Sequence, residues 1–233
     1  MFLRQRFETE ELKLFRLLNK RIQLSRKDLN YYLNLEKGFE GELKFDERLK
    51  SLTSDHLILS DLLFEINNSF FQIDALLIIS KTIYLFDIKN FEGDYYLDSG
   101  SWYTLSKSEI KDPLAQLKRS ETLLRRMIQD LKLNFSIEAY LVFVNTDFYL
   151  YQAPLNLPII FPSQIDRFMK KINLSESKLL ERHLKFAEKL LSHHLEKSPF
   201  TRVPVYTYDE LNVDVICSMC NSFNVGVVEN ILI

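Results

Sequence analysis

The order of apolar and turn-forming segments predicts an α/β (α+β) fold, in which helices flank a central mixed β-sheet. One observation is the succession of elements: a helix, three strands, a further helix and a strand follow one another along the chain. The other is composition, since 46% of the 233 residues are hydrophobic and only 5 are glycine and 6 proline. This composition supplies a packed core and argues against disorder. A chain of this length forms one large domain, or a main domain with a small appendage.

Two helices are predicted before the first strand. Apolar residues recur at helical spacing over residues 7–24, which indicates a helix packed on the main domain or a separate helix that binds a partner. We therefore assign residues 1–34 to an N-terminal helical extension. The second helix spans residues 35–52, where Gly38 and Gly41 would allow close backbone approach and Glu42 lies at the edge of the apolar face.

Three strands in quick succession predict an antiparallel meander. Residues 57–66 form an apolar run, and a polar turn follows at residues 67–69. The stretch 70–90 predicts two adjacent hydrophobic strands, separated by a short turn at residues 80–81. Residues 95–105 indicate a further hairpin or a long loop.

The next elements are a helix and two strands. Asp112 is a good N-cap, and Pro113 suits the first helical turn. Residues 137–144 predict a buried strand, and residues 158–161 predict one more short strand.

The chain is expected to end in two helices and a different kind of segment. Ser163 and Ser175 are the predicted caps of these helices, and the second helix runs to about Glu196. The main domain is therefore assigned to residues 35–197. Residues 198–233 form a small C-terminal β-like segment.

Two acids and a lysine interrupt the hydrophobic strands. Asp87 and Lys89 are two residues apart, so in a strand they share a face at a separation of roughly 6 to 7 Å. Such side chains are almost never buried unless they form pairs or bind a cation. Together with Asp74 they can hold a divalent metal and position a water, which predicts metal-assisted phosphodiester hydrolysis. Taken alone, the Asp87–Lys89 pair is also typical of a structural ion pair.

Mg²⁺ prefers hard oxygen ligands in near-octahedral geometry. Asp74 and Asp87 are candidate direct ligands, and Glu42 could coordinate the ion directly or through water. Lys89 could orient or deprotonate the attacking water, or stabilise charge on the phosphate. Gln116, in the first turns of its helix or just beyond, could hold the water or the substrate backbone.

Five short pieces in this order resemble one known family. They are Gly41-Glu42, Gln72-Ile73-Asp74, Phe86-Asp87-Ile88-Lys89-Asn90, Gly93 and Asp112-Pro113-Leu114-x-Gln116. Together, over about residues 36–150, they resemble the nuclease-related domain (NERD), a branch of the PD-(D/E)XK nuclease superfamily.

The resemblance implies a restriction-endonuclease-like core, Mg²⁺ or Mn²⁺ as cofactor, and a role for each matching residue. Glu42 would be the helix acid, Asp74 and Asp87 metal ligands, Lys89 the catalytic lysine and Gln116 the helix glutamine. Asp87 departs from the family pattern, in which glutamate is commoner at that position. Because aspartate is one methylene shorter, reach toward the metal or metal preference could differ.

DNA is the predicted partner, although the net charge of −2 gives no overall basic character. Lys118, Arg119, Arg125 and Arg126 follow Gln116 on the same helix. They could track a phosphate backbone or form a solvated face. A homodimer or a protein partner is left open.

Cys217 and Cys220 form a C-x-x-C pair, which is half of a zinc knuckle. Structural zinc needs four ligands, so Zn²⁺ here would require the upstream histidines or a second chain, and buried thiols are the alternative. Around this pair, residues 203–208 and 225–233 predict short strands.

A bacterial, cytoplasmic protein is expected. No run is long enough for a membrane span, the N-terminus is too charged for a signal peptide, and two cysteines do not make a disulfide framework.

The sequence thus predicts a metal-dependent DNA nuclease. A catalytically inactive module of the same fold, which binds nucleic acid or a protein, is the main rival. A structural subunit of a larger complex is a third hypothesis, and it predicts a large exposed apolar patch.

Overall fold

The computed structural model describes residues 1–174 and 177–217, Phe223, and the backbone of residues 227–228 and 231–232. The chain divides into two compact units. Residues 1–7 and 37–198 form the first, named here the sheet unit, and residues 8–36 and 199–233 form the second, the terminal unit. The first seven residues, predicted to belong to an N-terminal extension, thus lie in the sheet unit.

The helices and strands are as follows in chain order: β1 (Phe2–Arg4), α1 (Glu10–Arg21), α2 (Arg26–Lys50), β2 (Leu57–Ile66), β3 (Ser69–Ile79), β4 (Thr82–Lys89), β5 (Gly93–Asp98), β6 (Ser101–Thr104), β7 (Glu109–Ile110), α3 (Pro113–Asp130), β8 (Ser136–Phe143), β9 (Phe148–Tyr151), β10 (Ile159–Ile160), α4 (Ile165–Asn173), α5 (Glu181–Ser192), β11 (Val227–Val228) and β12 (Ile231–Leu232).

The main sheet of the sheet unit has six strands in the order β1-β2-β3-β4-β8-β10. Strands β2, β3 and β4 form the predicted antiparallel meander. Strands β1, β8 and β10 each pair in parallel with their neighbours. The sheet is therefore mixed, and the predicted α/β fold with flanking helices is confirmed.

Helices pack on both faces of this sheet. One hydrophobic cluster joins side chains of α3 and α5, such as Leu124 and Phe186, to Leu76 and its same-face neighbours. A second cluster joins side chains of α2 and α4, such as Phe45 and Met169, to the opposite face. Because successive residues of a strand point to opposite faces, the continuous apolar runs of β2 to β4 fill both clusters.

A smaller sheet of four strands, in the order β7-β6-β5-β9, carries the hairpin predicted within residues 95–105. Trp102 of β6 is buried and belongs to the first hydrophobic cluster. The hairpin turn uses Ser99 and Gly100, which both adopt positive φ. This sheet is thus anchored to the core through the only tryptophan.

The terminal unit has a small aromatic and ionic core of its own. The ring of Phe15 is fully buried and lies against Tyr31 and Tyr32. Arg16 forms ion pairs with Glu8 and Glu36, each at 2.5 Å. The first part of α2 therefore packs with α1 inside this unit.

Several predicted helix boundaries are wrong. The first helix begins at Glu10, because Thr9 caps it and accepts a hydrogen bond from the Leu12 amide. The second begins at Arg26 rather than at residue 35. Ser163 caps no helix, since it lies in a 3₁₀ turn at Pro162–Gln164 and α4 starts only after it.

The end of the chain differs from its prediction as well. The last helix stops at Ser192 rather than near residue 196, and Ser175 lies outside the described residues. The strand expected at residues 203–208 is wrong, because Val203 and Val205 are exposed instead of packing in a sheet. Within the range 225–233, the described residues form the short antiparallel pair β11 and β12.

Candidate active site

Asp74 and Asp87 lie where β3 and β4 separate. The pairing of these strands ends with Ala75 opposite Phe86. Asp74 directly precedes Ala75 in β3, and Asp87 directly follows Phe86 in β4, so both acids lie just beyond the last pair. Oδ2 of Asp74 accepts a hydrogen bond of 2.7 Å from the backbone N–H of Ile88. The side chain of Asp74 is thereby held against the segment that carries Asp87.

Lys89 completes this group. Its Nζ lies 2.6 Å from Oδ1 of Asp87, and the two side chains are only 18% and 7% exposed. Within the described part of the chain, this buried oxygen has no partner with hydrogen-bond geometry, so its contact with Lys89 is that of an ion pair. The structure therefore brings Asp74, Asp87 and Lys89 together as predicted from the strand pattern.

The charges of these three side chains influence one another. Burial raises the pKa of Asp87, the nearby charge of Asp74 raises it further, and Lys89 opposes both effects. Burial by itself would lower the pKa of Lys89, but Asp87 and Asp74 outweigh it and the pKa is raised. Lys89 is therefore an ammonium at neutral pH, and the two acids repel each other in a poorly hydrated site.

Glu42, the predicted helix acid, is occupied by an arginine. Oε2 of Glu42 accepts a hydrogen bond of 2.7 Å from Nη1 of Arg6. Burial and the charge of Asp74 raise the pKa of Glu42, and Arg6 opposes them. The charge of Asp74 therefore acts on Glu42, whose carboxylate is hydrogen-bonded to the guanidinium of Arg6.

Arg6 links several parts of the site, and it was not predicted. Its side chain is 1% exposed, and Nε donates to Oδ2 of Asp46 at 3.0 Å. Its Nη2 donates to the backbone carbonyl of Asp74 at 2.7 Å. Asp46 could have been found from the sequence, because it lies four residues after Glu42 and so shares its helix face.

Gly41 allows α2 to approach the end of β4. A Cβ at this position would lie only 2.5 Å from Cβ of Asn90 and 3.2 Å from a methyl group of Val144. Asn90 is buried, and its side-chain amide donates to the backbone carbonyl of Lys37 at 2.7 Å. The close approach predicted for Gly41 is confirmed, whereas the one predicted for Gly38 is wrong, because nothing lies within 4 Å of a Cβ at that position.

Gln116 and the basic residues lie on the solvent-exposed side of α3. The helix begins as predicted, since Asp112 accepts a hydrogen bond from the Leu114 amide at 2.9 Å. Gln116 is exposed, and in residues 1–174 no hydrogen bond joins it to the carboxylates. The structure therefore does not connect Gln116 to the acids.

The four basic residues of α3 are all exposed: Lys118, Arg119, Arg125 and Arg126. Lys118 and Arg125 both pair with Glu121, at 3.1 and 2.7 Å. This acid offsets part of the positive charge on the helix.

Asp74 and Asp87 are hard oxygen donors of the kind that Mg²⁺ and Mn²⁺ bind. Among the side chains that the structure describes, no group of three or more His, Cys, Asp or Glu residues could hold a metal. Mg²⁺ does not need such a group, because it keeps several waters and binds one or two carboxylates together with substrate phosphates. Asp74 and Asp87 supply two hard donors, of which Oδ1 of Asp87 contacts Nζ of Lys89 and Oδ2 of Asp74 accepts from the Ile88 amide. Glu42 fits less well, since it is paired with Arg6.

Of the C-x-x-C pair, the structure describes Cys217 alone. Cys217 is partly buried, whereas Cys220 lies outside the described residues. The zinc site therefore stays a prediction.

A mixed sheet with helices on both faces, carrying two acids and a lysine where two adjacent strands separate, defines a nuclease-like α/β core. Residues 37–144 match the family model of the nuclease-related domain, so this segment of the chain is similar to the NERD family. The match contains Glu42, Asp74, Asp87, Lys89 and Gln116, and the predicted resemblance to this family is confirmed. Comparisons with curated proteins and with solved structures found no match. In the part of the chain that the structure describes, the helices are too short or too polar for a membrane crossing.

Proposed function

We propose that this protein is a metal-dependent nuclease that hydrolyses phosphodiester bonds in DNA. One observation supports this proposal above others. Inside the matched segment, the Asp74–Ile88 hydrogen bond and the Asp87–Lys89 contact gather two carboxylates and an ammonium where two strands separate. Asp74 and Asp87 are the proposed ligands of Mg²⁺ or Mn²⁺, and Glu42 acts nearby through its charge or through a bound water.

The reaction adds water to phosphorus, breaks one ester P–O bond and transfers a proton to the leaving oxygen. A bound Mg²⁺ or Mn²⁺ would supply Lewis acidity and lower the pKa of a coordinated water. Without a bound metal, the Asp87 and Asp74 carboxylates raise the pKa of Lys89, which favours its ammonium form. Its proposed role is to stabilise negative charge on the phosphate oxygens.

The substrate backbone is proposed to lie along α3. Glu121 contacts Lys118 and Arg125, so Arg119 and Arg126 are the stronger candidates for phosphate contacts. Gln116 lies on the same exposed side and would contact the substrate rather than the acids. Cytoplasmic location, bacterial origin and oligomeric state remain predictions from the sequence.

The second candidate function is a catalytically inactive module that binds nucleic acid or a protein. It is favoured by the absence of a ready-made group of three metal-binding side chains within the described residues, and by the pairing of Glu42 with Arg6. The two functions differ in their dependence on metal.

The deciding experiment is cleavage of labelled linear and circular DNA with Mg²⁺ or Mn²⁺. We expect Asp87→Asn and Lys89→Met each to lower the cleavage rate by about 100-fold or more, since the first removes a proposed metal ligand and the second removes positive charge near the reacting phosphate. Glu40→Gln and Lys44→Met are matched controls, because this exposed ion pair of α2 also joins an acid to a lysine.

The controls should cleave at the wild-type rate. Equal cleavage by all five proteins would mean that Asp87 and Lys89 are not the site. Metal-independent DNA binding without cleavage by the wild type would favour the inactive module.

A further inference from the structure

The ladder between β2 and β3 is interrupted beside the site. Ser60 pairs with Ala75 and Leu62 pairs with Ile73, but Asp61 and Asp74 between them form no pair. Asp61 has φ of 55°, a left-handed conformation that is uncommon for residues other than glycine. Such strain persists only where surrounding contacts impose it.

The buried face of β3 also changes at this point. Phe71 and Ile73 belong to the first hydrophobic cluster, but beyond Asp74 the members of that cluster are Leu76 and Ile78. Alternation along a regular strand would have kept odd-numbered residues on one face. Asp74 therefore stands at an irregularity of the backbone, and its direction is not determined by the ladder alone.

Two arginines from the N-terminal strand region bind the carbonyls at this interruption. Nε of Arg4 donates to the Asp61 carbonyl at 3.3 Å, and Nη2 of Arg6 donates to the Asp74 carbonyl at 2.7 Å. A buried carbonyl without a partner is costly, so these bonds stabilise the irregular geometry.

We infer that Arg6 is a positioning residue of the nuclease site: it holds Asp74 in place by its backbone and fixes Glu42 beside it. This inference rests on the proposed function. Residues 1–7 lie outside the match at residues 37–144, so the site includes an element that the family match does not contain.

The chemistry of the side chain explains why arginine is needed. One guanidinium contacts Glu42, Asp46 and the Asp74 carbonyl at the same time. Its five donors have a fixed planar geometry, whereas a lysine ammonium is a single point charge. Lysine at position 6 would keep the charge but not all three contacts.

The test compares Arg6→Gln in an Asp46→Asn background with Asp46→Asn alone. Asp46→Asn is included because, without Arg6, Asp46 would be an unpaired buried carboxylate, which would favour unfolding. The matched control is Arg16→Gln with Glu36→Gln, since Arg16 also joins two carboxylates but lies in the terminal unit.

Three measurements are made on folded protein: Mn²⁺ affinity, the kinetics of DNA cleavage (kcat and KM), and the chemical shift of the Ile88 amide proton. We expect the Arg6 variant to lose about 10- to 100-fold in Mn²⁺ affinity and in kcat, as is typical when a group that orients a metal ligand is removed. The Ile88 signal should move, because its N–H donates to Asp74. Arg6→Lys should give intermediate values, and the Arg16 control should match the wild type in all three.

An Arg6 variant that only lowers the unfolding temperature, with Mn²⁺ affinity and the Ile88 signal unchanged, would overturn the inference and leave the proposed function intact. A wild type that neither binds Mn²⁺ nor cleaves DNA would instead refute the proposed function. In that case the Ile88 signal alone decides, since movement supports placement of Asp74 by Arg6 and no movement overturns it. If the double variant does not fold, Arg6→Lys is read by the same criteria.

Discussion

Gly38 and Gly41 are both interior residues of α2, yet they differ in their surroundings. A Cβ at Gly41 would collide with Asn90 at 2.5 Å, whereas nothing lies within 4 Å of the corresponding position at Gly38. Glycine in the interior of a helix costs about 1 kcal/mol relative to alanine, and alanine can remove this cost only where there is room for its Cβ. The sequence alone could not tell which of the two is held by packing.

We expect opposite effects from alanine at these two positions. Gly41→Ala should lower the free energy of unfolding by about 1–3 kcal/mol through overpacking against Asn90. Gly38→Ala should raise it by about 0.5–1 kcal/mol through helix propensity. Urea denaturation of both variants checks this, and a gain in stability from Gly41→Ala would contradict the close contact between α2 and β4.

At the scale of elements, α5 depends on a buried histidine. Nδ1 of His183 accepts a hydrogen bond of 2.9 Å from the Leu180 amide, where the helix begins. Its ring is 1% exposed and lies 5.9 Å from the ring of Phe135. Burial lowers the pKa of His183, and the charge of Arg182 lowers it further.

The sign of the resulting pH dependence follows from this direction. Because the folded state binds the proton less tightly than the unfolded state, the contribution of His183 is present above the unfolded pKa of about 6.5 and is lost as pH falls below it. We expect the stability difference between wild type and His183→Gln to shrink from pH 7.5 to pH 5. Thermal unfolding across this range measures the difference, and a constant value would show that His183 does not titrate on unfolding.

Prediction at the element scale succeeded where the signal was local. The cap and first turn of α3 follow from Asp112 and Pro113, and the meander follows from apolar runs broken by polar turns. It failed at Ser163, where Pro162 starts a 3₁₀ turn that precedes the helix. A serine near a helix start is a good cap only if the backbone reaches helical geometry directly after it.

At the scale of the whole molecule, the matched segment is not a complete core. Strands β1 and β10 and helices α4 and α5 all lie outside residues 37–144. Met169 of α4 and Phe186 of α5 are buried in the two hydrophobic clusters. Without these elements, large apolar areas on both faces of the sheet would be exposed to water.

We therefore expect the fragment 37–144 to show no cooperative unfolding transition. The fragment 37–198 should unfold cooperatively, but at a lower temperature than the full chain, because Glu42 and Asp46 lose Arg6. Calorimetry and circular dichroism on the three proteins make the comparison. A cooperative transition of 37–144 at the temperature of the full chain would show that the outer elements add nothing to stability.

Local pattern was sufficient to place Asp74, Asp87 and Lys89 in one group, because strand alternation and short turns act over a few residues. The partners of Arg6, in contrast, could be identified only in the tertiary structure. Arg6 contacts Glu42, Asp46 and Asp74, which lie 36, 40 and 68 positions further along the sequence. Such distant contacts leave no periodic trace in a sequence, since they arise from the packing of a parallel edge strand and a helix around the interruption at Asp61.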